Sequence, residues 1–228
     1  AAPEDLKGEA STHYTKMVTH PEAAARMATV LNDPKLIYLI RDPVDRLVSH
    51  FMHEWSMGAM RGPLDTAINR HPELVDYSLY ARQLAPYVAR FGTKAIHVIS
   101  LETMQAAPQQ TLEEVCAFLG HDGRPVWQAD HGRENASSER IRRFPLHGLI
   151  FDNPLATAMR RGLVPQSVRD RIKRARQMRT RPDLPTTRRR ALEARFADDL
   201  VQLQGMFPGR PDLARSYPFV ALAAVPAQ

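Results

Sequence analysis

Cysteine is almost missing from this 228-residue chain: the one thiol is Cys116, inside the apolar helical pattern "TLEEVCAFLG". A disulfide framework is therefore excluded, and so is a cysteine-rich zinc site. One free thiol in an apolar pattern suits a reducing compartment, and a cytoplasmic setting is the expectation. No apolar run approaches the roughly 20 residues that cross a bilayer, so no membrane span is expected. The opening "AAPEDLKGEAS" lacks the basic and apolar regions of a signal peptide, and none is expected there. Aromatic residues make up only 7% of the chain, but hydrophobic residues reach 43%, enough for one sizeable core.

Acidic residues are scarce in one stretch. Residues 131–195 hold 17 Lys and Arg against 6 Asp and Glu, a surplus of +11, whereas the remainder holds 14 against 19, or −5. Such a lobe suits an anionic ligand: a nucleotide, a nucleic acid, a sulfated glycan or an acidic membrane. The plainer alternative is a solvated Arg-rich helical face.

No internal repeat or low-complexity tract is present. "LIYLIR" (36–41) and "AIHVISL" (95–101) read as short, fully buried strands of the kind found in parallel sheets. Helical patterns fill the interval at 43–60 and 77–91, which is the grammar of a βαβ crossover and an α/β fold. "PQQTLEEVCAFLG" (108–120) reads as a helix with Gly120 as its C-cap. From 121 to about 165 the chain looks irregular and basic. Two late helices are expected at "SVRDRIKRARQM" and "TTRRRALEARFADDLVQLQGMF", the second burying Leu192, Phe196, Leu200, Leu203 and Phe207 at spacings of three and four. "RPDL" at 181–184 and 210–213 reads as two turns. Before the first strand only "THYTKMV" offers a strand end, and the chain reads as though entered partway through a domain.

The corner "LIRDPVDRLVSHF" carries the most chemistry. Asp42 suits an N-cap, Pro43 suits the first helical position, and Asp45 adds an acidic first turn. Arg41 then projects from the carboxyl end of a strand, where open α/β sheets bind ligands. Arg46, Ser49 and His53 follow at spacings of three and four and share one helix face. An arginine fork with a hydroxyl is suitable equipment for a phosphate. The alternative is structural: Arg41 pairs with Asp42 or Asp45, and Ser49 caps nothing.

These residues resemble the 3′-phosphate-binding motif of sulfotransferases that use 3′-phosphoadenylyl sulfate (PAPS). The family pattern is a strand, then Arg-[Asp/Asn]-Pro, a second Arg three residues after the Pro, and a Ser three further on. Arg41, Asp42, Pro43, Arg46 and Ser49 match it. "GEASTHY" (8–14) is similar to the Gly-Glu-Lys-Ser-Pro-x-Tyr segment of glycan-type and bacterial members. "YSLYARQLAPYVARFGTKAIHVISLETM" (77–104) is similar to the helix and strand that follow the motif, with Glu102 at a familiar acidic position. "PQQTLEEVCAFLG" resembles the Pro…Phe-Leu-Gly helix beyond it.

The resemblance implies a P-loop-like α/β fold, a parallel sheet flanked by helices with a helical, basic C-terminal part. It divides one domain, 1–228, into a nucleotide-binding part (1–120), a loop over the site (121–165) and C-terminal helices (166–228). It also implies sulfuryl transfer from PAPS, as co-substrate and without a metal, to a hydroxyl or amine of a small-molecule or carbohydrate acceptor. Arg41 and Ser49 would hold the 3′-phosphate. The loop contacts would fall on "HGRENASSERIRR" (131–143), with Ser137, Ser138 and Arg140 as candidates. Trp127 would stack on a base or simply pack.

Two departures from the pattern stand out. No G-x-x-K-x-G-[ST]-T loop for the 5′-phosphosulfate occurs in these residues; in the family it precedes the Gly-Glu segment, so it is expected just before Ala1. Ala10 and Thr12 also replace the family's Lys and Pro. Transfer further needs a base for the acceptor proton and donors near the leaving oxygen. Glu9, His13 and His53 are the candidates for the base, with His50 and Glu54 beside them, and each has a structural or substrate-contacting alternative. Two other functions compete with the enzyme. One is a non-catalytic relative that binds a sulfated or phosphorylated partner through 131–195. The other is a nucleic-acid binder, which the shortage of interleaved aromatics disfavours.

Overall fold

The computed structural model describes residues 6–128 and 180–223, and every structural statement concerns those residues. In chain order their elements are α1 (Ala23–Val30), β1 (Leu36–Ile40), α2 (Pro43–Met57), α3 (Leu64–Arg70), α4 (Glu73–Asp76), α5 (Tyr80–Phe91), β2 (Ile96–Ser100), α6 (Leu101–Ala106), α7 (Pro108–Leu119), α8 (Thr186–Met206) and α9 (Pro218–Ala223). Short 3-10 helices lie at Thr93–Ala95 and Pro211–Ser216. The helix expected at 167–178 and the loop expected over the site lie almost wholly outside the described residues. No described helix is long and apolar enough to cross a membrane.

The described residues fall into two compact units. The first takes 6–43, 75–126 and 194–223. Its sheet pairs β1 with β2 in parallel, in register from Leu36 opposite Ile96 to Ile40 opposite Ser100. Parallel neighbours need a crossover, and the helical interval between the strands supplies the length. The expected α/β architecture, a parallel sheet flanked by helices, is therefore present. β2 is buried along most of its length, but β1 is not fully buried as expected. Ile40 is 1% exposed, whereas Ile37 and Leu39 are 46% and 49% exposed. Successive strand side chains point to opposite faces, and only the Leu36–Tyr38–Ile40 face is well covered.

The core of this unit includes Tyr80, Leu84, Val98, Phe196, Leu203, Leu213 and Tyr217. Each such buried side chain contributes roughly 1.5–3 kcal/mol. Leu192, Phe196, Leu200, Leu203 and Phe207 are all buried, as the spacing on the last long helix predicts. α8 brings one polar group with it: Asp199 accepts the backbone N–H groups of Ala81 at 3.0 Å and Arg82 at 3.3 Å. It caps the start of α5 from 118 residues away. "THYTKMV" forms no strand; its backbone closes turns, with Lys16 N–H on His13 O at 3.2 Å. Gly120 ends α7 in the left-handed region, φ 75° and ψ 28°, as its capping role requires.

The second unit takes 44–74, 127–128 and 180–193. Leu47, Val48, Phe51 and Met52 make the buried face of α2, and Leu64, Ala67 and Ile68 that of α3. Arg188, on the first turn of α8, donates to Asp65 and Asn69, each at 2.8 Å. Arg181 donates to the Asp45 carboxylate at 2.8 Å.

Candidate functional site

The strand-to-helix corner is built by short-range preferences. An apolar run gives β1, Pro43 opens α2, and Asp45 stands in the first turn of that helix. Arg41 follows the last residue of β1 and is half-buried. Its backbone is held within the first unit: the Tyr80 hydroxyl donates to Arg41 O at 2.8 Å and lies 3.4 Å from Arg41 N. The next N–H, of Asp42, donates to Glu102 Oε1 at 2.9 Å.

Glu102 is braced in turn. Ser100 Oγ donates to its Oε2 at 3.0 Å, and Ser216 Oγ lies 2.5 Å from the same oxygen. The two serine oxygens are 2.9 Å apart, and neither residue is exposed. Ser100 also caps α6, accepting from Thr103 N–H at 3.3 Å. Behind Tyr80, the rings of Tyr38 and Tyr217 meet it edge-on at centroid distances of 6.0 and 6.4 Å. Burial, with Tyr80, Asp199, Tyr38 and Asp42 adding smaller repulsions, raises the Tyr217 hydroxyl far above the ordinary phenol range.

Ser49 is half-buried on α2 in the second unit. Arg46 precedes it by three residues and His53 follows by four, so the helix places the three along one face. His53 is exposed. His50 and Glu54 stand 3.5 Å apart on successive turns.

Glu9 and His13 lie in the first unit on an exposed segment. Glu9 accepts from the Tyr14 hydroxyl, and that bond raises the Tyr14 pKa. His13 Nδ1 is 3.3 Å from Ser11 Oγ, and its ring meets His20 edge-on at 5.4 Å. The segment is tied down by the Tyr87 hydroxyl, which donates to Tyr14 O. Burial pushes the Tyr87 hydroxyl up to about 12. Trp127 is 40% exposed. Ser137, Ser138 and Arg140 lie outside the described residues. No cluster of metal-ligating side chains occurs among the described residues.

Glu9, His13 and Arg41 are thus in one unit, and Ser49 and His53 in the other. Sequence reasoning missed Tyr80 and Ser216, and it noted Glu102 only for its position. Tyr80 sits in an apolar helical pattern where an aromatic reads as core. Its contact with Arg41 spans 39 residues, and no local signal could have exposed it.

Residues 3–165 match the family model described as "Sulfotransferase domain", and the chain belongs to that sulfotransferase family. Among curated proteins it is 33% identical to heparan sulfate glucosamine 3-O-sulfotransferase 3B1 of Mus musculus over 129 residues, which cover 52% of this chain and 33% of the relative. The 3A1 enzyme of the same organism is 32% identical over the same length. The chain thus spans about a third of the length of the curated relatives it matches. A crystal structure of a sulfotransferase from Alicyclobacillus acidocaldarius shares the fold, with a TM-score of 0.54 at 22% identity, covering 87% of this chain and 63% of that one.

Proposed function

We propose that this protein is a PAPS-dependent sulfotransferase and that the Arg41–Ser49 corner supplies the ligands of the nucleotide's 3′-phosphate. The observation that carries the reading is Arg41 at the carboxyl end of a parallel strand, followed by Pro43 and by a helix bearing Arg46 and Ser49. Family membership and the relatives named for sulfuryl transfer support it. Those relatives are named for a glucosamine of heparan sulfate, and a carbohydrate is accordingly the first acceptor class to test.

The donor set fits the group. Arg41 offers a permanently charged fork and Ser49 a hydroxyl, and together they suit a phosphate dianion. At about 1.5–3 kcal/mol for each charge-assisted bond, the pair favours a 3′-phosphorylated nucleotide by roughly 10²- to 10⁴-fold. In the reaction the acceptor oxygen or nitrogen bonds to sulfur as the bond from sulfur to the 5′-phosphate oxygen breaks. The acceptor proton passes to a base, for which Glu9, His13 and His53 are the candidates. Adenosine 3′,5′-bisphosphate leaves. Ser138 and Arg140 are proposed as further nucleotide contacts.

The test is transfer of radiolabelled sulfate from PAPS to a panel of glucosamine-containing polysaccharides and small alcohols. Labelled acceptor with stoichiometric adenosine 3′,5′-bisphosphate is expected. Tight nucleotide binding without transfer to any acceptor would instead favour a binding protein that has the family fold.

A further inference from the structure

We infer that Tyr80 and Glu102 are positioning residues that aim Arg41, a role that rests on Arg41 being a 3′-phosphate ligand. Ile40 is the last residue in the strand register, and at the turn that follows it side chains hold the backbone of Arg41 and Asp42. The Tyr80 hydroxyl takes both polar groups of Arg41, donating to its carbonyl at 2.8 Å and lying 3.4 Å from its N–H nitrogen. Glu102 takes the Asp42 N–H at 2.9 Å. Pro43 has no N–H to satisfy.

The two holding groups are themselves immobilised. Tyr80 is 1% exposed, wedged edge-on between the rings of Tyr38 and Tyr217. Glu102 is clamped by Ser100 and Ser216, which come from β2 and from the 3-10 helix at Pro211–Ser216. Packing alone would accept a phenylalanine at position 80. The hydroxyl does something packing does not: it fixes the peptide planes on both sides of the Arg41 Cα, and with them the direction in which the guanidinium stem leaves. A bidentate ion pair depends on direction as well as distance, so this control of the stem becomes control of the ligand.

The experiment is calorimetric titration of the full chain with adenosine 3′,5′-bisphosphate and, separately, with adenosine 5′-monophosphate, which lacks the group Arg41 reads. Tyr80→Phe and Glu102→Leu, which remove the donor to Arg41 and the acceptor of the Asp42 N–H, are each expected to raise the bisphosphate Kd by roughly three- to tenfold, the scale of one lost hydrogen bond. Each should leave the monophosphate Kd within about twofold of wild type, a control that general loosening of the fold would fail. In an Arg41→Ala background the Tyr80→Phe change should have no further effect on the bisphosphate.

Unchanged bisphosphate affinity in both single variants, or an equal loss for both nucleotides, would overturn the positioning role. An additive loss on top of Arg41→Ala would overturn it too. A wild-type chain that does not distinguish the two nucleotides, or an Arg41→Ala variant that binds the bisphosphate normally, would instead overturn the reading of Arg41 itself.

Discussion

At the scale of single residues, Asp199 and His97 carry the clearest consequences. Asp199 is 4% exposed and accepts two N–H groups at the start of α5. Burial raises its pKa, while those bonds and Arg195 pull it down. Asp199→Ala would leave the N–H groups without their acceptor in the interior. The expected loss is about 2 kcal/mol of stability in urea denaturation, with Asp199→Asn costing less because its amide oxygen still accepts.

His97 lies on β2 with its ring stacked on Phe118 at 5.2 Å, and its buried Nε2 has no hydrogen-bond partner among the described residues. Burial, then the charge of Arg210, lowers its pKa below the ordinary 6.5. Above that value both folded and unfolded states hold a neutral ring, and the contribution to stability is complete. As pH falls through the ordinary value toward the lowered one, the unfolded chain takes up the proton first and stability declines. His97→Phe should flatten this part of the profile; an unchanged slope in thermal melts between about pH 7 and pH 5 would assign it to other groups.

At the scale of elements, what could be read from the sequence and what could not divide along the range of the interactions. The corner was legible because each of its parts is local: an apolar run, a proline at the first helical position, and spacings of three and four. The end of α7 was legible for the same reason. Gly120 sits at φ 75° with open space where a Cβ would stand, so only the backbone conformation opposes a side chain there. Gly120→Ala should lower stability by about 1 kcal/mol, and Gly120→Asn by less, since Asn tolerates the left-handed region better.

The holding groups at the corner were illegible, because Tyr80, Glu102 and Ser216 reach it across tens of residues. The half-exposed face of β1 escaped as well. Its uniform apolar run gives no alternation to mark which side is covered, whereas the 3.6-residue period of α8 does.

At the scale of the whole chain, charge is unevenly distributed, with +11 over 131–195 and −5 elsewhere. A basic region of this size attracts polyanions before any specific contact forms, and salt weakens that attraction. Nucleotide affinity should therefore fall roughly tenfold between about 0.05 and 0.5 M sodium chloride. The preference for a 3′-phosphate should persist, because close charge-assisted bonds are screened less than distant charges. Loss of both together would place recognition in the diffuse field rather than at Arg41.

Arg41 as the reader of the 3′-phosphate is the claim on which the rest depends. It is tested most directly by the ratio of affinities for adenosine 5′-monophosphate and adenosine 3′,5′-bisphosphate in wild type and in Arg41→Ala. The expected ratio in wild type is on the order of 10² or more, falling by at least about tenfold in the variant. A ratio unchanged by the substitution would contradict the account.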